Sequence, residues 1–177
     1  MTDIDGDKRL QTDCRQCVGL CCIVLPHRAG AGFPAAKVPD WPCSHLDEGF
    51  RCRIHDSLAQ HGYTVCPRYD CRGAGVLVSR FLEPGPAEQI AEQAERLEDF
   101  RQLSRLHQVI WALMSVDQPG AEALRGELLG VSEAYERLGI FKMTQSAQAE
   151  LARNAGLIED ILNGYSTNVE SENDEQA

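Results

Sequence analysis

Cys14-Arg15-Gln16-Cys17-Val18-Gly19-Leu20-Cys21-Cys22 puts four thiols into nine residues. Four more follow at Cys43, Cys52, Cys66 and Cys71, and the rest of the 177-residue chain has none. A chain that places every thiol in its first 71 residues is building one local feature there. A Cys-x2-Cys pair lets two sulfurs grip one tetrahedral ion across a tight turn. Cys21 and Cys22 are neighbours, and neighbouring side chains diverge. One of them therefore completes a first site while the other turns to a second, or bridges. All eight cysteines are candidate metal ligands. They are enough for two four-sulfur sites, or for one small cluster with shared sulfurs. Spacing does not decide which cysteines share an ion.

Sulfur-rich tetrahedral sites suit zinc or iron. The spacing matches neither the bacterial nor the plant-type ferredoxin run, and it is not the paired Cys-x2-Cys of a zinc ribbon. Zinc is the expected metal, with iron or an iron–sulfur centre second. The competing use of eight cysteines is a disulfide scaffold in an exported protein. Residues Met1–Asp7 are acidic and lack the basic and apolar regions of a secretory signal. The expected setting is thus the cytoplasm, where thiols stay reduced.

Four of the five histidines (His27, His45, His55, His61) share this segment. An imidazole could replace a sulfur, but a surface or supporting role is expected for each. His107 belongs to a later helix and reads as a satisfied helix residue. In Cys66-Pro67-Arg68, the nearby guanidinium could depress a thiol pKa and make a nucleophile; a ligand role for Cys66 is preferred. Trp41-Pro42 is expected to pack against the metal loop, and Trp111 to lie in the core. No phosphate loop, dinucleotide fingerprint, nucleophile elbow or zinc-protease motif is present, and no catalytic residue is assigned.

Charge follows the same division. The net charge is −10, yet residues 8–80 carry ten Lys/Arg against six Asp/Glu. Residues 81–177 carry seven against eighteen. The basic excess of the first part offsets the negative charge left when eight thiolates hold two divalent ions. With no Lys/Arg run and no interleaved aromatics, nucleic acid is not an expected partner. No apolar run is long enough for a bilayer.

Taken in order, residues 1–11 are polar and expected to be loosely attached. Residues 12–82 form the Cys-rich module. Prolines and glycines break it too often for helices of ordinary length. Ile23-Val24-Leu25, the alternating Gly49–Ile54 and the β-prone Val76–Phe81 are expected as short strands, and His55–His61 as a short helix stopped by Gly62. Composition changes at Glu83-Pro84-Gly85-Pro86. From Pro86 a helix of about 30 residues is predicted, with Ile90, Ala94, Leu97, Phe100 or Arg101, Ser104, His107, Trp111 and Met114 along one face, Leu103, Leu106, Ile110 and Leu113 widening it, and solvated pairs such as Glu92–Arg96. Ala121–Leu138 is predicted as a second helix closed by Gly139. A third starts at the N-cap Thr144 and runs to about Leu162. The helical region is 86–163, and residues 166–177 are an acidic tail expected to be disordered. The fold class expected is mainly α: a small, irregular, metal-stapled Cys-rich module with short β pieces, packed on a helical hairpin or three-helix unit.

The motif set resembles the bacterial CxxCxxxCC cysteine-cluster proteins, described as a zinc- or iron-chelating family. It is most similar to the cysteine-rich N-terminal module of some pentapeptide-repeat proteins. The matching stretches are Cys14 to Cys22, Cys43-Ser-His-Leu46, Phe50-Arg-Cys-Arg-Ile-His55, Tyr69-Asp-Cys-Arg-Gly-Ala-Gly75 and Arg105-Leu-His-Gln-Val-Ile-Trp111. Together they cover residues 13–115. The pentapeptide repeats themselves are absent. The resemblance implies metal binding by the eight cysteines and a protein partner that relatives carry in cis. The function expected is metal binding, structural or for metal handling, with a helical half that meets a protein partner. The alternative is an iron or iron–sulfur redox enzyme or sensor. No small-molecule substrate is assigned.

Overall fold

In the computed structural model, residues 7–117 and 120–159 are described. The chain is mainly helical. Two isolated bridges, His27 with Lys37 and Leu46 with Cys52, supply its antiparallel pairing. It divides into two compact units that part between His107 and Gln108. The division lies inside a helix, well past the composition change at residues 83–86.

In the first unit, α1 spans Leu20–Val24 and begins after Gly19, whose φ is 69°. Leu20, Ile23 and Val24 are buried. They recur at helical spacing and form one apolar face, so the stretch expected as a strand is a helix instead. α2 spans Ala74–Ser79 and is buried along Ala74–Val78. It corrects a second strand assignment. Val76 and Val78 favour strands, but a segment apolar all round and enclosed on all sides satisfies its backbone best as a helix. Gly73 opens it at φ 81°, and Val76 and Leu77 both donate to the Gly73 carbonyl. The third expected strand, Gly49–Ile54, is a turn. Phe50 takes a positive φ of 59°, and Asp47 Oδ1 accepts from the Arg51 amide at 2.7 Å. His55–His61 forms two short 3-10 turns, stopped by Gly62 as expected.

The predicted 30-residue helix is two helices, α3 (Ala87–Ala91) and α4 (Ala94–Leu113). Gln93 makes the break. Its side-chain amide accepts from the Glu83 amide at 2.9 Å and donates to the Glu83 carbonyl at 3.0 Å. That clasp ties the linker to the start of α4. Of the stripe read from the sequence, Ile90, Leu97, Phe100, Leu103, Ser104, Leu106, His107, Ile110 and Leu113 are buried, Trp111 and Met114 are half-buried and Ala94 is exposed. Arg96 pairs with Asp99 at 2.8 Å. Residues 7–11, grouped by composition with a loose terminus, are anchored. Asp7 caps a turn over Lys8–Leu10, and Leu10 is buried.

In the second unit, α5 spans Ala121–Leu138 and buries Leu124, Leu128, Val131 and Tyr135. Gly139 closes it at φ 63°, donating to the Tyr135 carbonyl. Thr144 caps α6 (Gln145–Arg153) by accepting from the Ala147 amide at 3.0 Å. α5 and α6 pack together, and Ser146 donates to Glu127 at 2.6 Å. The third helix is interrupted at Asn154 and resumes over 155–159. Its expected end at Leu162 and the acidic tail lie outside the described residues.

Glycine substitutions test this packing. A Cβ on Gly73 would fall 2.0 Å from the Arg9 carbonyl oxygen at a positive φ, whereas Gly126 on α5 faces open space. Gly73→Ala is expected to lower unfolding free energy by about 2 kcal/mol or more. Gly126→Ala is expected to raise it by about 0.5–1 kcal/mol. Denaturant titration of the two variants checks both signs.

Candidate metal centre

The eight cysteines come from loops and very short helices, held by side-chain bonds to backbone. Cys14 opens a 3-10 turn over Cys14–Gln16, and the Cys17 amide closes it on the Cys14 carbonyl. Asp13 caps the turn through the Arg15 amide. The Arg51 guanidinium then binds three of its carbonyls: Cys14 at 2.8 Å, Arg15 at 2.9 Å and Cys17 at 3.3 Å. Arg51 immediately precedes Cys52, so one side chain ties the first pair of thiols to the middle of the module.

Cys21 and Cys22 sit on α1, beside its apolar face. The Cys43 amide donates to the Cys22 carbonyl at 3.0 Å. Cys43 and Cys52 stand on the two limbs of one turn, joined by the Leu46–Cys52 bridge and by Arg53 donating to the His45 carbonyl. Cys66 starts a short 3-10 turn. Cys71 lies just before α2, where the Gly75 amide donates to its sulfur at 3.4 Å. A Cβ on Gly75 would lie 2.9 Å from the Cys17 sulfur and 3.4 Å from that of Cys71. A glycine at this position lets both sulfurs approach the backbone.

Six of these thiols are shifted in the same direction, upward. Burial pushes up Cys14, Cys17 and Cys52, and raises Cys66 and Cys71 to about 11. Each of the five is raised further by other cysteines, and each feels Cys21. Cys21 itself is pushed well up by its bond to Cys22, by burial and by the charge of Cys22. Opposing this, backbone amides of Leu20 and Gly19 donate to Cys17, and that of Ile54 to Cys52. Amide donors on sulfur favour the thiolate. Buried, mutually repelling sulfurs with amide donors suit a site that becomes anionic when a divalent cation arrives. The donor set therefore fits zinc or iron. Among the described residues, no three donors are drawn around a common point as a bound ion would draw them.

Burial pushes Cys66 up to about 11, the opposite direction from the nucleophile reading of Cys66-Pro67-Arg68. Arg68 donates to the Thr64 carbonyl at 3.2 Å. Trp41 is 61% exposed, and its amide donates to the Ile23 carbonyl on α1 at 3.1 Å. Trp111 is half-buried. His27 stacks on Phe33, with ring centroids 4.2 Å apart. His45 meets the Tyr63 ring edge-on at 5.3 Å, with His61 6.3 Å away. His55 is exposed beside Asp56. A surface dip of about 220 Å³ between His55–Gln60 and Pro67 contains none of the cysteines.

Two supporting residues escaped the sequence reading. Arg51 is one; its place in the Phe-Arg-Cys stretch was a signal. Lys37 is the other. Its half-buried ammonium donates to the Ile23 and Val38 carbonyls and feels the charges of Cys43, Cys22 and Cys21. His107, a satisfied helix residue as expected, is fully buried and donates from Nδ1 to the Arg72 carbonyl at 2.5 Å. That bond fixes the backbone next to Cys71.

A search of curated proteins finds a relative, an uncharacterized protein (YybG) of Bacillus subtilis strain 168. It is 35% identical over 134 residues, covering 73% of this chain and 47% of the relative. The chain thus spans about half the length of the curated relative it matches. No protein-family model matches the chain, and no solved structure matches it. No helix among the described residues is long and apolar enough to cross a membrane.

His107 gives a pH prediction. Burial lowers its pKa from 6.5 to about 4. The unfolded chain therefore takes up the proton first as pH falls. Stability supplied by the neutral, buried imidazole is present above pH 6.5 and lost between about 6.5 and 4. Moving from pH 7 to 5 should cost about 2 kcal/mol at this site. His107→Gln should show a correspondingly shallower pH dependence in thermal melts.

Proposed function

We propose that this chain is a metal-binding protein whose eight cysteines form two thiolate-rich sites. Zinc is preferred over iron, and the metals are structural or held for handling. One observation carries the reading. The Cys17 and Cys71 sulfurs, from segments far apart in the chain, both lie against Gly75, and burial together with the charge of other cysteines pushes Cys14, Cys17, Cys52, Cys66 and Cys71 up. Crowding of this kind is unfavourable for anions alone and is offset by cations. Cys14, Cys17, Cys21, Cys22, Cys43, Cys52, Cys66 and Cys71 would hold the ions, and closed sulfur coordination makes such sites structural. Arg51 and Lys37 would brace the loops through carbonyls.

The same proposal places the chain in the CxxCxxxCC cysteine-cluster family and in the cytoplasm, where thiols remain reduced. The helical half would then meet a protein partner, the role that appended repeats would fill in relatives. No reaction is assigned.

Anaerobically purified protein is expected to carry about two metal equivalents and to release them to a strong chelator with loss of its folded circular-dichroism signal. Metal-free protein that stays folded with all eight thiols titratable would refute the reading. A colourless zinc-loaded chain supports zinc. A brown chain that bleaches on reduction would replace zinc by an iron centre and favour a redox role.

A further inference from the structure

We infer that Cys17 and Cys71 are an oxidation site, the two thiols that a small-molecule disulfide joins first in the folded chain. The inference rests on how two distant segments pack, and it holds whether or not the cysteines carry ions.

Local spacing favours other pairs. Cys14 and Cys17 are three residues apart, and Cys17 and Cys21 four. Short loops close more readily than long ones in an unfolded chain. The fold sets a different order. The Cys17 and Cys71 sulfurs lie 2.9 and 3.4 Å from one point, the place a Cβ on Gly75 would take. The ring of the buried Phe100 backs that point at 3.7 Å. The Gly75 amide donates to the Cys71 sulfur at 3.4 Å.

The two segments are also tied to each other on both sides of the sulfurs. Ser79 accepts from the Val18 amide at 3.1 Å and donates to the Gly75 carbonyl at 2.6 Å. The residue after Cys17 is thereby fixed to α2 at Gly75. Thr12 donates to Asp70 at 2.5 Å and accepts from the Gly73 amide at 3.2 Å. The loop on either side of Cys71 is thereby fixed to the chain ahead of Cys17. Reacting groups held together in this way act at a high effective concentration. Neither cysteine is fully enclosed, so a small oxidant reaches them. Cys21 and Cys22 compete poorly. Neighbouring Cα atoms are about 3.8 Å apart, closer than the about 4.4 Å or more of an unstrained disulfide.

The oxidant is a low-molecular-weight disulfide. One chain thiol loses its proton to solvent, and its sulfur attacks a sulfur of the oxidant. The oxidant's S–S bond breaks, a mixed disulfide forms, and one small thiolate leaves and takes up a proton. The second chain sulfur, likewise deprotonated, attacks the chain sulfur of the mixed disulfide and displaces the second small thiolate. Two electrons pass from Cys17 and Cys71 to the oxidant, which is reduced to two thiols. The new bond removes two of the eight candidate ligands.

The test uses the full chain as purified under anaerobic conditions. It is treated with one equivalent of glutathione disulfide, alkylated and digested, and the linked peptides are assigned by fragmentation in a mass spectrometer. Cys17–Cys71 is expected as the most abundant disulfide within the folded chain. In denaturant its yield should fall about tenfold, with Cys14–Cys17 and Cys17–Cys21 taking its place. Another pair dominating in the folded chain, glutathione adducts with no bond within the chain, or an equal Cys17–Cys71 yield in denaturant would each overturn the inference. Metal analysis of the same sample separates the two proposals. A metal-free folded chain that forms the Cys17–Cys71 bond defeats only the functional reading, and a metal-loaded chain that joins a different pair defeats only this one.

Discussion

Eight thiols stand in a segment with little regular structure, and holding its loops in place is the constraint on which the first unit depends. Burial and the charge of neighbouring thiols push Cys14, Cys17, Cys52, Cys66 and Cys71 up. Among the described residues ahead of α4 there is no sheet, and the α-helices, α1 to α3, have five or six residues. Such a segment gains little from repetitive backbone hydrogen bonding. It relies on side chains that reach backbone carbonyls, as Arg51 and Lys37 do, and on whatever joins the sulfurs to one another.

Helices supply the complementary part of the unit. α1 presents Leu20, Ile23 and Val24 on one side and its two cysteines beside them. α2 is enclosed and carries Gly75, the position where two sulfurs approach the backbone. α4 contributes Phe100 and Leu103 to the core and also reaches the site's supports. Ser104 pairs with Tyr69 at 2.9 Å, Arg101 with Asp40, and His107 with the Arg72 carbonyl. A rigid helix therefore positions three of the irregular loops at once. This explains how loops of low local stability can keep the cysteines within reach of each other.

Much of this was legible in the sequence. The thiol cluster, the apolar stripe from Ile90 to Leu113, the Thr144 cap and the Gly139 closure follow from local rules of spacing and capping, which act between residues close in the chain. The errors share one cause. Ile23–Leu25 and Val76–Phe81 contain β-branched residues and were read by intrinsic preference, yet both are helical because their partners enclose them. Gly49–Ile54 alternates as a strand does, but Phe50 at positive φ and the Asp47 turn limit its pairing to the single Leu46–Cys52 bridge. The break between α3 and α4 depends on Gln93 reaching Glu83, ten residues away.

The sequence by itself determined the eight candidate thiols, the mainly helical class and the faces of the longer helices, because these depend on residue type and short-range periodicity. Only the tertiary structure decided that Arg51 binds the Cys14–Cys17 turn and that the Cys17 and Cys71 sulfurs both lie against Gly75. These are contacts between segments distant in the chain. Loop closure and burial establish them, and neither leaves a mark in local spacing.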